Sequence, residues 1–339
     1  MNTVHTSISV DRVLRPATIV GTGAYVPTRI MTNADIKKIV DTTDEWIFTR
    51  SGIRQRRIAA PDEATSDMAS IAAQRALAAA GITAADVDQI IVATLTPDMA
   101  FPNTGCFVQA KIGAKRAHCF DIEAACAGFL YGLEVARHFV SAGTIETSLV
   151  IGAEKLSTVT DWQDRATCVL FGDGAGAAVV RPATRGRGII GNVTASDGNL
   201  HELLSLPGGG SRNPASHATI DARLHYMKMN GKEVFKHAVR AMTDASQQVL
   251  KKCGLTTRDI ACIIPHQANM RIIQAIADRL DLGLDSFFVN IEKYGNMSAA
   301  SVPVALDEAV AAGRVKQGDL ILMVGFGGGF TWGATIMEW

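Results

Sequence analysis

The sequence has no long hydrophobic run, no apolar leader and no surplus of charge of one sign. No stretch reaches the ~20 apolar residues of a membrane span, and residues 1–16 carry Asp11, Arg12 and Arg15 where a signal peptide would be apolar. Thirty-three basic residues balance thirty-three acidic ones. We therefore expect no membrane span and no general electrostatic attraction for nucleic acid, and we interpret residues 1–16 as a loose N-terminal extension.

Cysteine is sparse and irregularly spaced. The six cysteines include no C-x-x-C pair and no regular framework; they are Cys106, Cys119, Cys126, Cys168, Cys253 and Cys262. Scattered free thiols are typical of a reducing compartment, which predicts a cytoplasmic protein. Hydrophobic residues make up 47% of the chain and charged residues 19%, which excludes disorder. A length of 339 residues predicts two domains.

The pattern of apolar segments predicts an α/β fold that contains an internal repeat. Strand-like segments such as "QIIVAT", "TSLVIGAE", "ACIIP" and "DLILMVGFG" each follow a helix-like segment. "GITAADVDQII" at 81–91 resembles "GLTTRDIACII" at 254–264, and "DIEAACAGF" at 121–129 resembles "NIEKYGNMS" at 290–298. Because the matches keep their order, we expect two equivalent halves, 17–184 and 185–339.

This repeat predicts that the loops at the ends of four matched strands meet. The loops contain Ala93, Cys126, His266 and Asn296; Ala93 aligns with His266, and Cys126 falls within one position of Asn296. Strand-to-helix junctions are where α/β folds place active residues. Taken singly, the cysteine is more often packing, the histidine a structural hydrogen-bonder and the asparagine a turn or cap residue. Together they favour a catalytic site.

Cys126 lies among small residues just before a helix-like segment. A helix N-terminus stabilises a thiolate by roughly 0.3–1 kcal/mol, which is less than one pKa unit at about 1.36 kcal/mol per unit. A nearby base or donor is therefore needed, and His266 is the candidate. The chemistry that fits cysteine, neutral histidine and asparagine is acyl transfer from a thioester, followed by decarboxylation of a malonyl thioester. Backbone N–H groups at Cys126 and in "GFGGGF" at 325–330 would form an oxyanion hole.

The motifs that carry these residues resemble those of the β-ketoacyl-acyl carrier protein synthase III family. The resemblance lies in "DIEAACAGF", "PHQANMR", "YGNMSAAS" and "GFGGGFTWGA", with support from "TDEWIFTRSGI", "FPNTGC" and "LFGDGAGAAVV". It implies a thiolase-like fold, with two duplicated halves in a five-layered αβαβα arrangement, usually as a homodimer. It also implies condensation of an acyl-CoA primer with malonyl-acyl carrier protein, the initiating step of type II fatty acid synthesis, without metal or redox cofactor.

The resemblance also implies a role for particular residues. Cys126 would accept the acyl group, His266 and Asn296 would promote decarboxylation, and the N–H groups of Cys126 and Gly328 would form the oxyanion hole. The implied CoA-binding residues are Trp46, Arg50, Arg165, Gly231 and Asn269. The implied carrier-protein docking residues are Lys236, Arg271 and Arg279. Phe101 would cross the dimer interface and close the primer pocket, which favours a short primer such as acetyl.

The sequence departs from the family pattern at several positions. Tyr294 stands where a histidine is frequent, and Asp278 replaces a basic residue found in some relatives. Glu123, next to the nucleophile, has no assigned role. The polar, glycine-rich stretch 207–225 is longer than usual, and we expect a mobile loop near the tunnel mouth.

Other classes of protein share some of these residues. Papain-like hydrolases use cysteine, histidine and asparagine in the same chain order, but the surrounding motif and the repeat do not fit. A CoA-binding subunit without activity would not need all three side chains. A related enzyme that condenses long-chain or aromatic acyl thioesters in secondary metabolism would share them. The glycine-rich "IVGTGAYVP" and "FGDGAGA" lack the strand–turn–helix context of a dinucleotide site.

Overall fold

The computed structural model describes residues 14–339, so residues 1–13, most of the predicted N-terminal extension, lie outside the described residues. Arg15, within the predicted extension, is anchored. Its guanidinium donates to the carbonyls of Val140 and Ile145, both at 2.8 Å, and pairs with Glu146. No helix of the described residues combines the length and the apolarity needed to cross a membrane.

Strands and helices alternate along the described chain. The strands are β1 (Ala17–Tyr25), β2 (Arg29–Thr32), β3 (Gln55–Ile58), β4 (Gln89–Ala93), β5 (His118–Ile122), β6 (Ser148–Glu154), β7 (Gly174–Pro182), β8 (Ile189–Ser196), β9 (Leu204–Ser205), β10 (Lys228–Met229), β11 (Cys262–Pro265), β12 (Leu320–Gly327) and β13 (Thr331–Glu338). The α-helices are α1 (Asn33–Ile36), α2 (Asp44–Ser51), α3 (Thr65–Ala79), α4 (Thr104–Ile112), α5 (Gly128–Ser141), α6 (Arg165–Cys168), α7 (His217–Asp221), α8 (Gly231–Cys253), α9 (Met270–Arg279), α10 (Ile291–Tyr294) and α11 (Ser301–Ala311).

Two mixed sheets with equivalent topology form the framework. The first has the strand order β1-β7-β6-β4-β5, and the second has the order β11-β12-β13-β8. In the first sheet β4 pairs in parallel with β6, whereas the β6–β7 and β7–β1 pairs are antiparallel. In the second sheet β11 pairs in parallel with β12, whereas the β12–β13 and β13–β8 pairs are antiparallel. A parallel bridge between Ile263 and Phe287 stands where β5 pairs with β4 in the first sheet. The duplicated α/β fold predicted from the repeat is confirmed.

The repeat is visible in its local hydrogen bonds as well. Thr83 donates from its backbone N–H and its hydroxyl to the carboxylate of Asp86, at 2.9 and 2.8 Å. Thr256 makes the same two bonds to Asp259, at 2.7 and 2.8 Å. Both threonines cap a short 3₁₀ turn that leads into the strand ending in the site.

The layers follow from which helix faces are apolar. Helices α5 and α11 are packed between the two sheets, where Phe129, Leu133, Val302 and Leu306 are fully or nearly fully buried. Helix α3 covers the outer face of the first sheet and helices α8 and α9 that of the second, each with its own apolar cluster. This gives the five-layered αβαβα arrangement. Because both inner helices are covered on two sides, their N-termini are fixed in the middle of the molecule.

Close backbone approach holds these N-termini in place. Gly152, in β6, faces the 3₁₀ turn Ser298–Ala300 that precedes α11, and a Cβ built on Gly152 would lie 2.2 Å from the carbonyl oxygen of Ala299. Neither backbone can move without disturbing the sheet or the inner helix. A residue without a side chain is therefore required at this position.

We predict that Gly152→Ala lowers the free energy of unfolding by about 1–3 kcal/mol or more, because the added methyl group overpacks a contact between two backbones. Denaturant unfolding measures the change. Gly198→Ala is the matched control, since its added Cβ would meet no atom within 4 Å. Equal stability of the two variants would contradict the prediction.

Candidate active site

The loops after the matched strands enclose a cavity of ≈ 690 Å³. It is lined by residues from both halves of the fold and reaches the N-termini of both inner helices. Eight residues to which the sequence assigned a role line it: Trp46, Arg50, Cys126, Gly231, His266, Asn269, Asn296 and Gly328. The strand ends that the repeat aligned therefore do meet, and three of the loops contribute a side chain able to do chemistry.

Cys126 sits in a 3₁₀ turn, Ala125–Ala127, that runs directly into α5. The thiol is buried, with 8% of the residue exposed. Burial raises the pKa of Cys126 to about 12, and the nearby carboxylates of Glu154 and Glu123 add to the increase. The helix N-terminus opposes a shift of this size only weakly. The resting thiol is therefore neutral, and its proton has to be removed during the reaction.

His266 follows β11 and is also buried. Its Nδ1 lies 2.6 Å from the hydroxyl oxygen of Ser301, and this hydroxyl donates to the carbonyl oxygen of Ser298 at 2.9 Å. Burial lowers the pKa of His266 to about 3, because an imidazolium would lose its hydration. Near pH 7 the imidazole is neutral and a poor base. It suits hydrogen bonding better than taking up the proton of Cys126.

Asn296 is oriented by its own loop. Its backbone pairs with the segment around Phe171, donating to the carbonyl of Leu170 at 2.8 Å. Its Oδ1 accepts a hydrogen bond from the backbone N–H of Ser298, also at 2.8 Å. Because Oδ1 already accepts this hydrogen bond, the Nδ2 amide group is the part of the side chain that can donate into the cavity. Nδ2 makes no hydrogen bond to a described residue.

The glycine-rich end of β12 lies against the cysteine turn. A Cβ on Gly327 would lie 2.4 Å from the backbone nitrogen of Cys126, so only glycine fits there. The hydroxyl of Thr331 donates to the carbonyls of Ala124, at 2.7 Å, and Gly328, at 3.2 Å, joining the two loops. Within the described chain, the N–H groups of Cys126 and Gly328 donate to no other group. Two free N–H donors beside a nucleophile are what an oxyanion hole needs.

An aromatic and two cationic side chains stand at one side of the cavity. The guanidinium carbons of Arg50 and Arg165 lie 4.7 and 4.9 Å from the ring centroid of Trp46. The side chain of Asn269 donates to the carbonyl of Arg50 at 2.9 Å. Arg165 itself is not part of the lining, and its guanidinium also donates to the carbonyl of Asp41 at 3.1 Å.

Four other residues from the sequence lie outside the lining. Phe101 is 86% exposed and does not reach the cavity of its own chain. Lys236 and Arg271 are exposed on α8 and α9, and Arg271 lies 5.9 Å from the ring of Phe235, which does line the cavity. Arg279 is exposed at the opposite end of α9. The three basic side chains are therefore on the outer surface, and of these only Lys236 and Arg271 lie near the cavity.

The remaining sequence features have clear positions. Tyr294 donates its hydroxyl to Glu308, outside the cavity lining. Glu123 lines the cavity, is exposed, and accepts a hydrogen bond from the N–H of Ala125 at 2.9 Å. Stretch 207–225 contains α7 and does not line the cavity, but residues on both sides of it, including Leu206 and Met227, do.

Three polar residues of the site were not singled out in the sequence. Ser298 and Ser301 belong to the quoted motif "YGNMSAAS", where only the asparagine was assigned a role. Glu154 ends the quoted strand "TSLVIGAE", and it is completely buried. The available signal was a charged residue at the carboxyl end of an apolar strand, the position at which α/β folds place active residues.

Comparison with known proteins gives a consistent result. Residues 120–198 match the family described as 3-oxoacyl-acyl-carrier-protein synthase III, and residues 250–339 match its C-terminal part. A β-ketoacyl-acyl-carrier-protein synthase III from Caldanaerobacter subterraneus subsp. tengcongensis is 54% identical over 95% of this chain and 98% of the relative.

Solved structures agree as well. The crystal structure of a 3-oxoacyl-acyl-carrier-protein synthase III from Aquifex aeolicus VF5 is 48% identical, with a TM-score of 0.89 over 95% of this chain and all of that one. The priming β-ketosynthase of the R1128 polyketide biosynthetic pathway is 37% identical, with a TM-score of 0.89 over 96% of both chains.

The burial of His266 predicts a pH dependence of stability. Its folded pKa of about 3 lies below its ordinary value of 6.5, so below about pH 6.5 the unfolded chain binds a proton that the folded chain does not. Stability is therefore lost as the pH falls, by up to about 1.4 kcal/mol per pH unit. His266→Ala removes this contribution to the pH dependence of stability. The contribution of Glu154 has the opposite sign and is present in both the wild type and the variant.

We expect the stability difference between the wild type and His266→Ala to shift in favour of the variant as the pH falls from about 7 to about 5. Denaturant unfolding at several pH values gives the difference. His217→Ala, at an exposed histidine, is the control and should follow the wild type. A pH-independent difference for His266→Ala would show that the buried imidazole takes up a proton as readily as in the unfolded chain.

Proposed function

Because the chain belongs to the 3-oxoacyl-acyl-carrier-protein synthase III family, we propose that it joins a short acyl-CoA primer, acetyl-CoA above all, to malonyl-acyl carrier protein. The products are 3-oxoacyl-acyl carrier protein, CoA and CO₂, and the reaction initiates type II fatty acid synthesis. The observation that carries the proposal is the convergence of Cys126, His266 and Asn296 on one cavity beside two free N–H donors. The substrates are thioesters, and no cofactor is required.

The first half-reaction transfers the acyl group to the enzyme. The sulfur of Cys126 attacks the thioester carbonyl, and the N–H groups of Cys126 and Gly328 receive the negative charge that develops on its oxygen. The bond to the CoA sulfur then breaks, leaving an acyl-cysteine. Trp46, Arg50 and Arg165, together with Gly231 and Asn269, form the proposed CoA site. All of them except Arg165 line the cavity, and both arginines contact the ring of Trp46.

The second half-reaction creates a carbanion without a strong base. Loss of CO₂ from the malonyl group leaves an enolate, which Asn296 Nδ2 and His266 Nε2 stabilise by donating to the thioester oxygen. Donation by Nε2 requires a proton there and hence none on Nδ1, so in this step the Ser301 hydroxyl turns its proton from the carbonyl of Ser298 to Nδ1. The enolate attacks the acyl-cysteine, and Cys126 is released. A histidine that stays neutral is consistent with this role.

The proposal includes two protein partners. Lys236, Arg271 and Arg279 are the proposed docking residues for the acidic carrier protein, supported by their exposure on α8 and α9. The second proposed partner is another copy of the chain, in a homodimer. Phe101 supports this, because its exposed ring would close the primer pocket of the partner subunit instead of its own. A cytoplasmic location is supported by cysteines that form no disulfide framework.

Partial reactions test the three proposed catalytic roles. Cys126→Ser should abolish transfer of radiolabelled acetyl from acetyl-CoA to the protein. His266→Ala and Asn296→Ala should retain that transfer but slow release of labelled CO₂ from malonyl-carrier protein by about 10²–10³-fold, because each removes one donor to the developing charge. A labelled thioester on Cys126→Ser would show that the nucleophile is wrong.

A primer panel tests the substrate class against the second candidate, an enzyme for long-chain or aromatic acyl thioesters. The likeness to the R1128 priming ketosynthase keeps this candidate open. We expect kcat/KM with malonyl-carrier protein to be highest for acetyl-CoA and to fall by about tenfold or more for octanoyl- and benzoyl-CoA, since a closed pocket excludes longer groups. A preference for the larger primers would favour the second candidate, and no condensation with any primer would reject both.

A further inference from the structure

Glu154 is a completely buried carboxyl group next to the nucleophile that the proposed mechanism leaves unused. It ends β6, directly under the turn Ser298–Ala300. Its Oε2 accepts hydrogen bonds from the hydroxyls of Thr94, at 3.2 Å, and Thr96, at 2.6 Å, and from the N–H of Leu95, at 3.2 Å. Among the described residues, its Oε1 contacts only the same N–H, at a long 3.3 Å. Oε1 can therefore accept a further hydrogen bond.

Ser298 stands between this carboxyl group and the cysteine. The turn that contains it packs against both β6 and the turn of Cys126, and Ser298 and Cys126 both line the cavity. Its backbone is fixed on both sides, by the bond to Asn296 Oδ1 and by the contact of its carbonyl with the Ser301 hydroxyl. The fixed backbone has φ +46°, a conformation unfavourable for residues other than glycine.

The hydroxyl of Ser298 is buried and has no hydrogen-bond partner among the described residues. A buried polar group without a partner is costly and is frequently functional. The turn that carries this hydroxyl packs against the turn of Cys126 on one side and against β6, the strand that Glu154 ends, on the other. Its position suits a group that exchanges partners during the reaction.

We propose that Ser298 passes the thiol proton of Cys126 to Glu154, and that Glu154 holds this proton through the reaction cycle. As the sulfur attacks the primer, its S–H bond breaks and the proton moves to Ser298 Oγ, whose own proton moves to Glu154. CoA leaves as a thiolate and takes up a proton from solvent. When the enolate displaces Cys126 from the acyl group, the proton returns by the same route and restores the thiol.

The other groups around the thiol are less suited to this task. The buried imidazole of His266 is a poor base, with its pKa lowered to about 3. Glu123 is exposed, so a proton on it would exchange with water. Burial raises the pKa of Glu154 to about 7, from an ordinary value of 4.5, which makes this carboxylate a much better proton acceptor than an exposed one. Ser298 and Glu154 are thus positioning and proton-transfer residues, distinct from the decarboxylation pair.

The inference rests on the acyl-transfer step of the proposed function, and the two variants that test it are Glu154→Gln and Ser298→Gly. The glutamine amide oxygen can still accept the bonds from Thr96 and Leu95, and glycine tolerates the positive φ of residue 298. We expect both variants to slow acetyl transfer from acetyl-CoA to Cys126 by about a hundredfold, with CO₂ release from malonyl-carrier protein nearly unchanged. Glu154→Asp should recover part of the acetyl transfer.

Asp173→Asn is the matched control. Asp173 is completely buried and accepts hydrogen bonds from the hydroxyl of Ser157 at 2.6 Å and the N–H of Ala59 at 2.8 Å, but it does not line the cavity. This variant should acylate at the wild-type rate. Wild-type acylation by Glu154→Gln, equal loss of acylation and decarboxylation, or a stronger effect of Glu123→Gln would each overturn the proposal.

Alkylation by iodoacetamide separates this proposal from the proposed function, because it measures the reactivity of Cys126 without any thioester. Glu154→Gln and Ser298→Gly should lower the alkylation rate of Cys126, read by mass spectrometry, by about tenfold or more. If the wild type failed to accept acetyl from acetyl-CoA but the alkylation rates fell as expected, the proposed substrate would be wrong and the proton route would stand. Unchanged alkylation rates would reject the route.

Discussion

The contact between the two turns that begin α5 and α11 determines the position of almost every other functional group. Each turn contains a non-glycine residue with positive φ, Ala125 at +44° and Ser298 at +46°. Such conformations persist only where the surroundings enforce them. Here the enforcement comes from two sheets that press the turns together, and from glycines 152 and 327, which let backbones approach where a side chain would collide. The nucleophile and the amide donor are thus placed by backbone packing.

The same enclosure sets the charge state of the site. Removal from water raises the pKa of Cys126 and Glu154 and lowers that of His266, in each case because the charged form loses hydration. The thiol and the imidazole are consequently both neutral at rest. Negative charge develops on the thioester oxygen only when substrate is present, and then it lies next to N–H groups whose orientation is already fixed. Preorganised donors in a dry site stabilise such charge more effectively than water does.

Much of this arrangement could be predicted from the sequence, because a repeat constrains three-dimensional positions. The alignment of His266 with Ala93, and the position of Asn296 within one residue of the one aligned with Cys126, predicted that these loops meet, and the motifs added the family. The glutamate that ends β6 could not be recognised in this way, since an acidic residue at a strand end usually faces water. Its burial depends on the turn of Ser298, almost 150 positions away along the chain. Arg56 is similar: it is fully buried, and its guanidinium donates to carbonyls far apart in sequence.

The cluster of Trp46 with Arg50 and Arg165 has a consequence for how a nucleotide would enter. Both guanidinium groups already lie within 5 Å of the indole centroid, so the ring makes cation–π contacts before any ligand arrives. In the proposed CoA site, a base that stacked on the face occupied by a guanidinium would have to displace it and would lose that cation–π contact. The net gain then comes from the displaced guanidinium, which is free to pair with phosphate. Discrimination would therefore depend on the anionic part of the ligand more than on its base.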